Sequence, residues 1–206
     1  MNSSAIATIV ADRALAIVRA PEIPDPRALA GALAESGIRA LELTFTTPGV
    51  LDYLRVAADS AAVLGVGTVL TADQASAAIA CGAQFLVTPG IRADVATVAA
   101  DSGIPVIMGA LTPSEVLTAL DLGAAAVKIF PAGVLGPRYL KDLLGPFPGA
   151  SLIPSGGVNA DNAADFLAHG AVAVTAGTDV VSPQAVASAS WSDIASRAKA
   201  FMQSLN

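Results

Sequence analysis

Two charged residues interrupt apolar stretches of this chain, and both have side chains that can do chemistry. Lys128 lies within the apolar run 124–132, and Glu42 lies between leucines in the run 40–45. Burying an ammonium or a carboxylate costs several kcal/mol unless the charge is paired or neutralised. Two such residues in one chain therefore indicate a site in which they lie together and each charge pairs with the other.

Lys128 is the candidate nucleophile. A lysine amine that has lost its proton attacks carbonyl carbon, which is the first step of Schiff-base chemistry. The other two lysines, Lys141 and Lys199, fall in partly polar helical patterns. Glu42 is the candidate general acid/base, which would move protons as an imine forms and a carbon–carbon bond breaks. Two simpler interpretations stay open: Lys128 extends from a strand end into water, or Glu42 is merely its ion-pair partner.

The elements that would position these two residues alternate regularly along the chain. Five helical segments end in a glycine directly before a short apolar strand, at Gly37, Gly82, Gly103, Gly123 and Gly170. The pattern predicts strands near 14–18, 40–45, 63–68, 85–88, 105–109, 125–130, 151–155 and 172–176. Helices are predicted near 25–36, 48–60, 71–81, 92–102, 112–122, 136–144, 159–169 and 191–204, with a short amphipathic helix at the N-terminus.

Helix starts carry their own signals. The segments 71–74 and 112–115 have the form of a capping box, a threonine followed three residues later by Gln or Glu. Asn159 offers an asparagine cap for the helix predicted at 159–169. These caps support the assignment of the helices that follow them.

Eight short apolar strands alternating with helices predict a parallel sheet, and eight strands are the number that closes a barrel. We therefore predict an α/β fold, a (β/α)8 TIM barrel with a short N-terminal helix, formed by residues 1–206 as a single domain. A doubly wound open sheet is the alternative. Because side chains alternate along a strand, Lys128 and Glu42 are expected inside the barrel near its carboxyl end, where barrel enzymes carry out their chemistry.

Composition excludes several functional classes. Hydrophobic residues make up 54% of the chain and charged residues 14%, which excludes an intrinsically disordered protein. A net charge of −6 without a cluster of Lys or Arg argues against nucleic acid and against an anionic membrane as partners. Each apolar run is too short to span a bilayer. One histidine, His169, and one cysteine, Cys81, offer no metal-ligand cluster, so no metal and no cofactor is expected. The single cysteine and the lack of a signal-peptide pattern predict a cytoplasmic protein.

Turn-rich segments after several strands predict where a substrate would bind. Residues 155–158 follow strand seven and residues 176–179 follow strand eight, the two loops whose backbone amides commonly hold phosphate in barrels. Thr68 ends strand three and Thr88-Pro89-Gly90 ends strand four, which places small polar groups on the same rim. A small phosphorylated substrate is compatible with the acidic chain, because local amides hold such anions.

Five motifs occur in the order and spacing of a known family: Leu41-Glu-Leu-Thr, Gly65-Val-Gly-Thr-Val-Leu, Val87-Thr-Pro-Gly, Val127-Lys-Ile-Phe-Pro-Ala and Ser155-Gly-Gly-Val. Over nearly its whole length the chain resembles the 2-keto-3-deoxy-6-phosphogluconate / 4-hydroxy-2-oxoglutarate aldolases. The resemblance implies a metal-free class I aldolase on a (β/α)8 barrel, usually a homotrimer.

The resemblance also implies roles for individual residues. Lys128 would form the Schiff base with pyruvate and Glu42 would shuttle protons. Thr68 would lie near the pyruvate carboxylate, and Pro89 and Phe130 would line the pocket. Ser155 begins the strand-seven motif, and the phosphate contacts would come from Gly156, Gly157 and Thr178.

One departure from the family pattern concerns the substrate carboxylate. Many members carry an arginine four residues after the strand-two glutamate, where this chain has Thr46. Arg19, at the end of strand one, is the candidate replacement. The segments Ile17-Val-Arg19, 46–48 and 135–139 also resemble the sister enzymes that act on 2-keto-3-deoxy-6-phosphogalactonate, so the sugar acid is left open.

These observations predict a lyase that cleaves 2-keto-3-deoxy-6-phosphogluconate to pyruvate and glyceraldehyde 3-phosphate. The unphosphorylated 4-hydroxy-2-oxoglutarate, which would give pyruvate and glyoxylate, is a second expected substrate. The alternatives are the galactonate-type aldolase, a phosphate-binding barrel isomerase without a Schiff base, and a non-catalytic phosphosugar-binding protein.

Overall fold

The computed structural model describes residues 4–205, which form eight parallel strands alternating with helices. The strands are β1 (Ala14–Val18), β2 (Ala40–Thr44), β3 (Val63–Gly67), β4 (Phe85–Val87), β5 (Val106–Ala110), β6 (Ala126–Ile129), β7 (Leu152–Pro154) and β8 (Val174–Ala176). The helices are α1 (Ser4–Asp12), α2 (Pro26–Ala34), α3 (Val50–Ala57), α4 (Ala72–Ala80), α5 (Ala93–Asp101), α6 (Pro113–Asp121), α7 (Arg138–Leu144), α8 (Ala163–Ala168), α9 (Pro183–Ala187) and α10 (Trp191–Gln203). A 3-10 turn, Ala132–Val134, follows β6.

The strands hydrogen-bond in the order β7-β6-β5-β4-β3-β2-β1-β8. The two terminal strands of this order also meet. Leu152 bridges Ala171, the Val172 amide donates to the Leu152 carbonyl at 3.0 Å, and the Thr175 hydroxyl donates to the Pro154 carbonyl at 3.1 Å. These contacts close the sheet, so the predicted (β/α)8 barrel is confirmed and the open-sheet alternative is wrong.

The alternation of side chains along each strand produces two apolar layers. Leu41 and Leu43 on β2 pack in the layer between the barrel and its helices, as do Val127 and Ile129 on β6. A second cluster fills the barrel interior at its amino-terminal end, where Ala5, Ile6 and Ile9 of α1 pack against residues of the strands (Leu15, Ala40, Phe85, Val87, Ile107, Ala126, Ile153 and Ala173). The N-terminal helix therefore closes one end of the barrel, and the site must open at the other.

Side-chain caps and glycines mark several of the predicted helix boundaries. The Thr71 hydroxyl accepts from the Gln74 amide at 3.1 Å, and Thr112 with Glu115 forms a complete capping box. Gln74 instead accepts from the Leu70 amide at 2.7 Å, so the first box is only half formed. The five glycines before the strands all have positive φ, between 67° and 99°. They end their helices as predicted, since an L side chain rarely adopts that conformation.

Two details differ from the sequence prediction. Helix α8 begins at Ala163, four residues later than predicted, because the Asn162 side chain accepts from the Asn159 amide and holds the intervening residues in a turn. Helix α9 was not predicted. It has five residues and begins after a Ser182 cap, so it is too short to show an apolar period. Within residues 4–205 no helix is long and apolar enough to cross a membrane.

Candidate active site

Lys128 and Glu42 meet inside the carboxyl end of the barrel. The Lys128 Nζ lies 3.5 Å from Glu42 Oε2, and the two side chains are 11% and 1% exposed. Both carboxylate oxygens of Glu42 are buried, and neither accepts a hydrogen bond from residues 4–205. Such an arrangement is rare for a structural carboxylate, which is normally satisfied by fixed donors. The carboxylate is therefore free to exchange a proton with Lys128 or with a group that enters beside it.

Neighbouring strands leave room for this pair because they carry glycine there. Gly67 at the end of β3 faces Glu42, and a Cβ at that position would overlap the Glu42 carboxyl group. Gly109 on β5 is in register with Lys128, and a Cβ there would overlap the backbone of Pro89. The missing side chains of these two glycines thus leave the space that the Glu42 carboxyl group and the turn after β4 occupy.

A cavity of about 330 Å³ opens above the pair. Its wall includes Lys128 and every residue predicted to bind substrate, namely Arg19, Thr68, Pro89, Phe130, Ser155, Gly156, Gly157 and Thr178. Glu42 lies beneath, in contact with Lys128. The Phe130 ring centroid lies 5.8 Å from Lys128 Nζ and is the apolar wall nearest the amine. This volume is in the range of small-molecule sites.

Five residues without an individually predicted role also line this cavity, namely Ile17, Val158, Thr175, Gly177 and Asp179; Val158, Gly177 and Asp179 belong to the two loops that were predicted to hold phosphate. Strand register is the signal that could have found Ile17, because it pairs directly with Glu42.

Thr68 has a strained backbone at the edge of the cavity. Its φ is 56°, in the left-handed region that a β-branched residue rarely adopts. Such strain persists where the surrounding structure enforces it, and it concentrates at functional sites. Its position on the cavity wall agrees with the predicted contact to a substrate carboxylate.

The loop after β7 presents unpaired backbone amides. Gly156 and Gly157 both have φ of 79°, and their amides donate to no group among residues 4–205, nor does the amide of Thr178. The loop's carbonyls are occupied: Ser155 accepts from the Ala132 amide and Gly156 from the Gly133 amide, each at 2.8 Å. Successive free amides at a turn form an anion-binding concavity. The loop is therefore fixed from one side and open to an anion on the other.

The cavity wall carries two cations, Lys128 and Arg19. Arg19 is solvent-exposed, and within residues 4–205 its side chain forms no hydrogen bond or ion pair. Thr46, in the place of the family arginine, is not on the wall. The described residues also contain no cluster of three or more His, Cys, Asp or Glu side chains that could hold a metal ion.

Polar contacts on the same rim hold the β5–α6 loop. The Tyr139 hydroxyl donates to the Leu111 carbonyl at 2.6 Å, and burial raises the pKa of Tyr139. Glu115 accepts from the amides of Thr112 and Leu111, and these hydrogen bonds lower its pKa. Both side chains lie off the cavity wall, so they stabilise the rim.

Fold and site together define an α/β-barrel enzyme with a lysine–carboxylate pair at the carboxyl end of its strands. The family model described as KDPG and KHG aldolase matches residues 6–197. The 2-dehydro-3-deoxy-phosphogluconate aldolase of Treponema pallidum is 34% identical over 194 residues, 93% of this chain and 92% of that protein. The chain belongs to the KDPG and KHG aldolase family; it is an aldolase, a carbon–carbon lyase.

Two further relatives bear on its chemistry. The 2-dehydro-3-deoxy-6-phosphogalactonate aldolase of Escherichia coli K12 is 33% identical over 170 residues, 81% of this chain and 83% of that protein. The KDPG aldolase of Legionella pneumophila, whose crystal structure holds pyruvate captured as a covalent carbinolamine, superimposes with a TM-score of 0.86. It is 31% identical to this chain, over 94% of this chain and 96% of that one.

Proposed function

We propose that this chain is a class I aldolase that cleaves 2-keto-3-deoxy-6-phosphogluconate to pyruvate and glyceraldehyde 3-phosphate through a Schiff base on Lys128. The observation that carries the proposal is the 3.5 Å contact between Lys128 Nζ and Glu42 Oε2 at the base of a cavity. The pyruvate captured as a covalent carbinolamine in the Legionella relative supports covalent chemistry for an enzyme of this family.

The pair accounts for each step. Lys128 passes a proton to Glu42, and its neutral amine attacks the C2 ketone to give a carbinolamine. Glu42 returns a proton to the departing hydroxyl, so water leaves and a protonated imine forms. Glu42 then removes the proton of the C4 hydroxyl, the C3–C4 bond breaks, and its electron pair moves into the imine to give an enamine. Glyceraldehyde 3-phosphate leaves, and Glu42 gives the proton that it took from the C4 hydroxyl to C3 of the enamine. Water then hydrolyses the resulting imine, which releases pyruvate and restores the Lys128 amine.

The remaining cavity residues bind the two ends of the substrate. Thr68, Pro89 and Phe130 surround the pyruvate half, and Arg19 pairs with its carboxylate. The loop of Ser155, Gly156 and Gly157, with Thr178 opposite, holds the phosphate. The free backbone amides of Gly156, Gly157 and Thr178 support this assignment, because backbone amides can bind a phosphate dianion without a positively charged side chain.

The galactonate epimer is the second candidate substrate. It stays a candidate because Thr46 stands where the resemblance would place an arginine, while Arg19 lines the cavity. The E. coli galactonate-type enzyme, 33% identical, is no more similar to this chain than the gluconate-type enzyme of Treponema pallidum, which is 34% identical. The chemistry is the same, and the two substrates differ in configuration at C4. 4-Hydroxy-2-oxoglutarate, which lacks the phosphate, is a further expected substrate.

We also propose the oligomeric state and the location of the enzyme. We expect one catalytic domain that needs no cofactor, a homotrimer like the aldolases it resembles, and a cytoplasmic location. The acidic charge of −6 and the single cysteine are compatible with that location.

A turnover assay tests the proposal. Pyruvate release is measured from both C4 epimers and from 4-hydroxy-2-oxoglutarate, with Lys128→Met as the inactive control and Lys141→Met as the matched surface control. We expect pyruvate from the gluconate epimer, at a kcat/KM at least about tenfold above that for the galactonate epimer, a difference of about 1.4 kcal/mol. The reverse ratio would establish the galactonate alternative. Isomerised product without pyruvate would identify the isomerase alternative.

A further inference from the structure

Three threonines at the end of β2 form a hydroxyl cluster against the end of β1. The Thr44 Oγ1 donates to the Val18 carbonyl at 3.1 Å, and the Thr47 Oγ1 accepts from the Ala20 amide at 3.2 Å. Thr44 Oγ1 also lies 2.9 Å from Thr46 Oγ1 and 3.5 Å from Thr47 Oγ1. Thr44 and Thr47 are 0% and 1% exposed, so these hydroxyl groups lie inside the protein.

The two backbone groups held by this cluster flank a single residue, Arg19. Val18 ends β1, and its carbonyl precedes Arg19; the Ala20 amide follows it. The side chain of Arg19 has no partner of its own among residues 4–205, although it lines the cavity. A long exposed side chain without partners loses its direction if its backbone moves. The two hydrogen bonds on either side of Arg19 hold the backbone from which its side chain extends to the cavity wall.

The geometry points to Thr44 and Thr47 as positioning residues for Arg19. This inference rests on the proposed function, in which Arg19 pairs with the carboxylate of the pyruvate half of the substrate. The end of β2 carries hydroxyl groups that hold the backbone on either side of Arg19, a cation at the end of β1. The end of β2 thus contributes to binding the substrate carboxylate indirectly, through Arg19 at the end of the neighbouring strand β1.

The hydroxyl group of Thr47 is the part that matters in this arrangement. The Ala20 amide is buried, and without its acceptor it would be left without a hydrogen-bond partner. Thr47→Val keeps the shape and removes the acceptor, so the strand end would shift until the amide finds water. Thr47→Ser keeps the acceptor. The two variants separate the hydrogen bond from the packing of the side chain.

The experiment measures pyruvate binding separately from turnover, as the pyruvate concentration that gives half-maximal inactivation by borohydride. Arg19→Gln is expected to raise it about 10- to 100-fold, since a hydrogen bond between charged groups is lost. Thr47→Val is expected to raise it about 3- to 10-fold with kcat within about twofold. Thr47→Ser should restore the wild-type value, and Thr44→Val gives a second test from the Val18 side. Thr97→Val, which removes a surface hydroxyl bonded to Ala93 on α5, is the matched control.

The decisive comparison is Thr47→Val in the Arg19→Gln background, where no further loss is expected because the arginine that the hydroxyl positions is gone. The same fold-increase in both backgrounds would overturn the inference, as would an unchanged pyruvate concentration in Arg19→Gln. Either result leaves the aldolase proposal standing if the wild-type adduct forms. Failure of wild-type protein to form a pyruvate adduct would instead refute the proposed function itself.

Discussion

The two ends of the barrel are built from the same strands and have opposite characters. At the amino-terminal end, Ile6 and Ile9 of α1 pack onto Phe85, Ile107 and other apolar side chains, and the interior is filled. At the carboxyl end, the same inward-facing positions carry Glu42 and Lys128, and a cavity opens above them. Inward-facing residues two positions apart on one strand therefore differ in role: Ala40 and Ala126 pack in the filled end, and Glu42 and Lys128 lie at the cavity.

The comparison shows how a charged pair is tolerated in a barrel of eight short strands. The filled end supplies the buried apolar area, about 25 cal/mol for each Å² removed from water, that offsets two poorly solvated charges at the other end. It also keeps water from reaching Lys128 from below. If this division holds, substitutions at the carboxyl end should change activity, and those at the amino-terminal end should change stability.

The largest effect is expected at the carboxyl end from Glu42→Gln. The amide is similar in shape but cannot take a proton, so kcat should fall by about 10² to 10⁴. Pyruvate should still be trapped on Lys128 by borohydride, although more slowly. A variant that keeps wild-type kcat would show that Glu42 is only an ion-pair partner.

A smaller loss of activity should follow from Gly67→Ala, which sharpens the comparison without touching a charged group. Because the new methyl group would overlap the Glu42 carboxyl group, the glutamate must move, and kcat should fall about 10- to 100-fold. The matched control is Gly31→Ala in α2, where a Cβ meets nothing within 4 Å. That variant should keep full activity and gain about 0.5–1 kcal/mol of unfolding free energy. Equal activity in both variants would contradict the placement of Glu42.

The amino-terminal end should respond in the opposite way. Ile9→Ala removes a fully buried side chain from the barrel interior and should lower the unfolding free energy by about 2–5 kcal/mol. Well below the melting temperature, kcat and KM should stay within about twofold of wild type, as kinetics and denaturant unfolding would show. Val10→Ala, at a position 41% exposed on the same helix, is the control with little effect on stability. A large fall in kcat for folded Ile9→Ala would break the division between the two ends.

The smallest expected effect concerns the carboxyl rim away from the cavity. Hydrogen bonds from Thr112 and Leu111 lower the pKa of Glu115 below 4.5, so its ionised form stabilises the native state. That contribution is fully present above pH 4.5 and is lost as the pH falls through the native-state pKa. Gln keeps an acceptor oxygen but loses the charge beside the helix start, so Glu115→Gln should be less stable than wild type by about 0.3–1 kcal/mol at pH 7. The difference should shrink in acid unfolding curves; a constant difference would contradict the assignment.

Much of this architecture could be predicted from the sequence because local patterns determine it. Glycines at helix ends, threonine caps and strands of apolar residues fixed the eightfold repeat, and alternation placed Lys128 and Glu42 on the interior face. The five-residue helix α9 carried no such pattern. The start of α8 was missed because a side chain of Asn162 competes with the helix for the Asn159 amide.

The details of the site were less accessible, since they depend on contacts between distant segments. That Gly67 makes room for Glu42 follows from the pairing of β2 with β3, and spacing along the chain does not show it. The hydrogen bonds from Thr44 and Thr47 to the residues beside Arg19 span 26 and 27 positions. Sequence could name Arg19 as a replacement cation, but it could not show what holds it.

The most direct test of the central claim is the identity of the residue that pyruvate modifies. The protein is treated with pyruvate and borohydride, digested, and its lysine-containing peptides are analysed by mass spectrometry. We predict a reduced pyruvyl adduct on Lys128, none on Lys141 or Lys199, and loss of activity in proportion to labelling. Full activity with an unlabelled Lys128, or an adduct confined to another lysine, would contradict it.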